Sequence, residues 1–160
     1  MIDYGAIREV LRAGIWQHMR VFFVDLENGD PRPPHPFISH KFITPYMEES
    51  GYEINDEDTL IRESQLTMTL SLTVYATSKT KALNVANQLQ QWFRFHGYEY
   101  LANHGLVAVT IEGLEDRTTF LETDYEHRVG FDVVLRTVDR VERKIDTIER
   151  VELNDGTIGG

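Results

Sequence analysis

Gln65-Leu66-Thr67-Met68-Thr69-Leu70-Ser71-Leu72-Thr73-Val74 is the stretch on which the fold turns. Leu66, Met68, Leu70, Leu72 and Val74 alternate without a break with Gln65, Thr67, Thr69, Ser71 and Thr73. A period of two places all the apolar side chains on one side of an extended chain, so the spacing predicts a long strand over 64–76 with one buried face. The other face is rich in hydroxyls and almost uncharged. Solvated threonines are the ordinary reading of such a face, and a lining or subunit contact is the alternative.

That strand needs partners, and the flanking sequence supplies them. Phe37 to Tyr46 reads as a strand with Ile38, His40 and Phe42 on one face and Ser39, Lys41 and Ile43 on the other. Before it, Val21-Phe22-Phe23-Val24 is a short apolar run that stops at Asn28-Gly29-Asp30-Pro31. Pro31, Pro33, Pro34 and Pro36 then impose an extended, poorly bonded connection. Downstream, Leu106 to Ile111 is a strand, and Tyr125, His127, Val129, Phe131, Val133 and Leu135 mark one face of another.

Two segments change to the helical period. Residues 3–19 carry Ile7, Val10, Leu11 and Ile15 behind a capping Asp3, with Gly14 interrupting the stripe and Trp16 opposite it. Ser78 caps a second helix whose Ala82, Val85, Ala86, Leu89, Trp92, Phe93 and His96 form a stripe. Gly97 then takes the position where a left-handed residue ends a helix. The expected class is α+β: an antiparallel β-sheet with two main helices packed on one face. We expect one domain over 1–160, with a mobile loop over 47–59 and a C-terminal arm over 143–160. The loop expectation rests on the acids and scarce apolar residues between Glu48 and Asp58, which lack any base to balance them.

Composition narrows the function. The chain has 160 residues, 41% of them hydrophobic, enough for a core without staples. It has no cysteine, which excludes disulfides, thiolate metal sites and cysteine nucleophiles. Asp and Glu number 26 against 16 Lys and Arg, a net charge of −10 that opposes attachment to phosphate backbones or anionic lipid. The start lacks the basic and apolar regions of a signal peptide, and no stretch approaches the length of a membrane span. A soluble protein made in the cytoplasm is expected.

No motif carries chemistry. The six histidines show no zinc-protease spacing. His35 and His40 could meet across the proline loop, but a loop histidine and a strand histidine are common without ligation. His18 and His96 each end an apolar helix stripe, where the helix dipole explains them. None of Ser39, Ser50, Ser64, Ser71 and Ser78 stands in a nucleophile elbow, and no phosphate-binding glycine loop occurs. No catalytic residue, cofactor or metal is expected. A small-molecule enzyme or ligand-binding domain would need a pocket and a perturbed titratable group, with His40 or His127 as candidates.

Several segments together resemble the neck terminator family of tailed phages, which is similar in role to tail terminators. They are His40-Lys41-Phe42-Ile43-Thr44-Pro45-Tyr46, Gln65 to Ser71, Gln91-Trp92-Phe93, Asp116-Arg117-Thr118-Thr119, Tyr125-Glu126-His127-Arg128-Val129-Gly130-Phe131-Asp132-Val133 and Ile145-Asp146-Thr147-Ile148-Glu149. The resemblance implies a virion structural protein of a phage or prophage, made in the bacterial cytoplasm. It would assemble as a hexameric ring on the head-proximal end of the tail tube, stop tube polymerisation and join the head. Tail-tube protein and the head-connector or adaptor protein are the implied partners, and DNA would pass through without specific binding. A head-completion or adaptor role in the same particle is the alternative.

A ring that closes by rotation needs two different adhesive surfaces on each subunit. Candidates are Trp16, the hydroxyl face at Thr67, Thr69 and Ser71, and the arm at Ile145 and Ile148. Glu48, Glu49 and Asp56 would order against a partner. Arg117, between an acid and hydroxyls, either holds a turn or reaches a neighbouring subunit.

Overall fold

The computed structural model describes residues 1–119 and 126–145. The central strand is longer than its alternation alone indicated: β3 runs from Thr59 to Ala76. Leu66, Met68, Leu70, Leu72, Val74 and Ala76 on one of its faces are wholly removed from solvent. On one side β3 pairs antiparallel with β2 (Phe37–Asp56), and on the other with β6 (His127–Lys144). The outer strands are β1 (Phe22–Val24) beside β2, and β4 (Val107–Ile111) with the two-residue β5 (Glu115–Asp116) beside β6.

The α+β class therefore holds, with one correction. β1 runs parallel to β2, Phe22 opposite Phe37, so the sheet is mixed and not purely antiparallel. Parallel neighbours need a crossover of about a dozen residues. The proline-rich segment 25–36 provides it without a helix.

Helix α1 (Tyr4–Met19) starts where Asp3 accepts a hydrogen bond from the Ala6 N–H at 3.0 Å. Helix α2 (Lys79–Gln91) starts where the Ser78 hydroxyl accepts from the Lys81 N–H at 3.1 Å. Their buried stripes, Ile7, Leu11 and Ile15 on α1 and Ala82, Val85, Ala86 and Leu89 on α2, join the apolar face of β3 in one cluster. The second helix does not end regularly. Trp92–His96 widen into a π turn, and a short helix α3 (Tyr98–Asn103) follows that periodicity did not reveal.

Gly97 is a second correction. Its φ is −97°, outside the left-handed region, so conformational freedom does not explain it. Space does: a Cβ there would stand 2.4 Å from Trp92 Cε2. Gly14, which interrupts the stripe of α1, has the same role, because a Cβ would stand 2.4 Å from Tyr100 Cε1 and 2.7 Å from Trp92 Cζ2. One buried indole thus rests against two glycines. His18 and His96 close this junction by stacking at 4.7 Å.

The loop expected over 47–59 is a third correction. Residues 47–56 are the distal part of β2, paired with β3 as far as Asp56 opposite Thr59. Repulsion among the acids fails to open the segment because its counter-charges sit on the strands across from it. Arg62 lies 2.7 Å from Glu48, and Arg136 lies 3.4 Å from Glu49. β6 accompanies β3 to Lys144 opposite Thr59, so a three-stranded extension projects past the helices. Of the expected arm over 143–160, Arg143 and Lys144 belong to β6 and the Ile145 N–H donates to the Asp58 carbonyl at 2.7 Å. Residues 146–160, Ile148 among them, lie outside the described residues.

Gly14→Ala and Gly97→Ala should each lower stability by about 1–3 kcal/mol, the range for overpacking a full core. Urea unfolding followed by circular dichroism measures this, and an unchanged midpoint would show that Trp92 has room to move.

Candidate assembly surface

Helices cover one face of the sheet and leave the other, the side of Thr67, Thr69, Ser71 and Thr73, without a helical layer. Along that face three zones follow one another.

Nearest β1, Phe37 is fully buried and stacks on Tyr75 with centroids 4.7 Å apart and planes within 6°. The Arg32 guanidinium lies 5.3 Å from the Phe37 ring and Arg128 lies 4.9 Å from Tyr75, both in cation–π range. Glu126 gathers these cations. It accepts from Arg32, lies 2.7 Å from His35 Nε2, and accepts from Arg128 at 3.1 and 3.3 Å. Burial alone pushes the Glu126 pKa up, but the His35 and Arg128 hydrogen bonds and the arginine charges outweigh it and leave the pKa lowered. The cluster pins the proline-rich crossover to the start of β6. Sequence reading missed it because Glu126 stands 94 residues from Arg32 and 91 from His35, with no local pattern to announce the contact.

In the middle, Arg117 is committed within the subunit. One guanidinium nitrogen donates to Ser71 Oγ at 2.8 Å, Thr73 Oγ1 at 3.1 Å and the Leu72 carbonyl at 3.3 Å, and the other to Asp132 at 3.2 Å. The hydroxyls there are arginine acceptors as well as surface. Gly130 makes room, since a Cβ would stand 2.7 Å from Arg117 Nη1. Asp116 holds the adjoining turn. Its carboxylate accepts from the Thr118 N–H at 3.0 Å, and the Thr118 and Lys79 contacts hold its pKa down to about 2.

Farthest out, the register places Met47 beside Thr67 and Arg136, Gln65 beside Val138, Tyr52 beside Glu63 and Arg140, and Ile54 beside Ile61. Directly opposed residues share a face, and β3 alternates, so all of these share the helix-free side. Met47 and Val138 are each 56% exposed, Tyr52 57% and Ile54 40%. These exposed apolar side chains are interleaved with Glu63, Arg136 and Arg140, and the Tyr52 hydroxyl donates to Glu63, so the zone is a candidate contact surface of mixed character. The Tyr52-Glu53-Ile54 alternation was the available signal, obscured by the surrounding acids.

The residues expected at an interface thus divide. Glu48, Glu49 and Asp56 lie exposed on the extension, Thr67 lies on it but is buried, and Ile145 lies at its tip. Thr69 is half-buried midway, and Ser71 lies under Arg117. Trp16 is remote from them, half-buried on α1 and tilted over Phe22 at 4.9 Å beside the outer strand β1.

The histidines that might have supported catalysis sit apart. His40 is 2% exposed and stacks flat on Phe23 at 4.1 Å, and burial lowers its pKa. His35 does not meet it, being engaged with Glu126 on the other face. Among the described residues no three His, Asp or Glu side chains are grouped to hold a metal ion.

Glu126→Gln should cost about 1–3 kcal/mol at neutral pH, the scale of hydrogen bonds to a charged group. Because the folded pKa of Glu126 lies below its ordinary 4.5, this stability is present above pH 4.5 and lost as pH falls through the folded value. Urea midpoints of the two proteins at pH 7 and pH 3 should differ more at pH 7. A constant gap would remove the carboxylate from the account.

No curated protein matches the chain in sequence. The family model described as phage neck terminator protein matches residues 4–160. That span takes in the sheet, all the helices and the uncovered apolar extension, and on this match the chain belongs to the phage neck terminator family.

Proposed function

We propose that the protein closes the head-proximal end of the tail tube as a hexameric ring, stops tube polymerisation and offers the head connector its docking surface. Family membership makes it a structural protein of the phage neck, found in the virion, that meets head and tail proteins. The ring, the capping step and the joining surface are the reading advanced here. The observation that carries it is the exposure of Met47, Tyr52 and Val138 on the outer face of the extension, which the subunit leaves uncovered. A subunit contact removes that face from water.

The function is one of shape. Subunits made in the host cytoplasm assemble without cofactor or catalytic step. The net charge of −10 fits a conduit that passes DNA without gripping it. The alternative, a head-completion adaptor, would bind the connector and leave tube ends open.

Uncapped tail tubes mixed with the protein and viewed by electron microscopy decide between them. A terminator yields tubes that end in a disc and stop growing when more tube protein is added. Tubes that keep growing, with the protein on the head connector, would establish the adaptor role. Met47→Lys with Val138→Lys should reduce capping at least about tenfold while changing the melting temperature by only a few degrees, since both side chains are exposed.

A further inference from the structure

The extension carries two unpaired backbone edges. β1 covers β2 only at Phe37–Ser39, and β4 covers β6 only from Val133 to Arg136. From there to the tip, among the described residues, no strand lies outside β2 or β6. Edges of this kind are templates for a further strand, and natural sheets blunt, cover or pair them.

Alternation fixes which groups each edge offers. The Asp132 carbonyl accepts from Glu112 on the β4 side, and the Ile145 N–H donates to Asp58 on the β3 side. Even-numbered residues of β6 therefore present their N–H and C=O outward. On β2 the register makes odd-numbered residues the outward ones between Ser50 and Asp56, where its pairing with β3 has no bulge. The Met1 ammonium already donates to the Arg140 carbonyl at 2.7 Å, which leaves Glu142 and Lys144 open on β6. Gly51, Glu53 and Asn55 are open on β2.

Charge says which edge each one fits. Arg62 stands opposite Glu53 but is bonded to Glu48, and Arg136 and Arg140 are paired with Glu49 and Glu63. Among the described residues the side chains of Glu53 and Asp56 on β2, and of Arg143 and Lys144 on β6, have no ion-pair partner, and all four are exposed. A two-fold contact would set the β2 acids against their own copies and the β6 bases against theirs. A head-to-tail contact sets acid against base. Direction allows it, because β2 and β6 are both antiparallel to β3 and so run the same way. Rotation about an axis along the strands keeps that direction and brings the β2 edge of one copy beside the β6 edge of the next.

We propose that neighbouring copies join edge to edge through their extensions, β2 of one pairing in parallel with β6 of the next and Glu53 seated beside Arg143. Closing strands into a barrel requires a staggered register, and a stagger of about two residues at each junction places the Glu53 backbone between those of Glu142 and Lys144. Repeated around the axis, the pairing removes every open edge of the extension. It rests on the reading of the protein as a self-assembling ring and gives that ring its linkage.

The protein has no cysteine of its own, so introduced thiols report cleanly. In the staggered register Tyr52 of one copy lies beside Glu142 of the next. Inside one subunit β3 stands between them, and a separation of about 10 Å, two strand spacings, is too wide for a disulfide. Full-length Tyr52→Cys protein is mixed with full-length Glu142→Cys protein, assembled at high concentration or on tail tubes, and mildly oxidised. The expected mixed dimer forms in at least about fivefold higher yield than when Glu142→Cys is replaced by Thr80→Cys on exposed α2. Adding Glu53→Lys and Asp56→Lys to the Tyr52→Cys protein should lower that yield at least about fivefold, and adding Arg143→Glu and Lys144→Glu to its partner should restore it. Rescue of this kind separates a contact between copies from damage to either subunit. Disulfides between like copies in excess of the mixed product would show a two-fold contact and overturn the proposal. Rings seen by microscopy with no mixed disulfide above the control would overturn the edge pairing and leave the ring standing. Failure to assemble in solution and on tubes would overturn both.

Discussion

Removal of one face of β3 from water is the constraint on which the rest of the molecule depends. Leu66, Met68, Leu70, Leu72 and Val74 retain no exposure, and at about 25 cal/mol per Å² each such side chain contributes roughly 1.5–3 kcal/mol. Because these residues point one way, both helices must lie on that side. The paired strands β2 and β6 must then present their own apolar alternates, Ile38 on β2 and Val129, Phe131, Val133 and Leu135 on β6, to the same cluster. The face left without a helical layer follows from that same choice of side.

Where a local period fixes the burial, the sequence was readable. Both helix starts, the central strand and the apolar faces of β2 and β6 are each determined within a few neighbours. What could not be read was set by residues distant along the chain. The acids of 47–59 resemble a repelling loop until β3 and β6 bring Arg62 and Arg136 across from them. Gly97 resembles a helix stop until the Trp92 indole is seen to occupy the space of its missing Cβ. The parallel entry of β1 depends on the path of a proline-rich crossover with no hydrogen-bonding pattern of its own to read.

The candidate surface was legible to the same degree. Thr67 was identified from the uncharged hydroxyl face and the Glu48 to Asp56 stretch from its acids and scarce apolar residues; both fall on one extension, where Thr67 is buried. The exposed apolar residues of that extension, Met47, Tyr52 and Val138, come from two strands far apart in sequence and reach the same face only through their register on β3. Arg117 shows the converse. Its sequence context allowed an intersubunit reach, while Ser71, Thr73 and Asp132 engage it at home.

The outer face of the extension shares no side chain with the cluster that holds the subunit together. Its strands are kept in place by backbone pairing and cross-strand charges, which tolerate exchange of the side chains between them. A lineage can therefore rewrite Met47, Tyr52 or Val138 without first having to rescue the fold. The sequence of this surface can drift while the interior stays fixed.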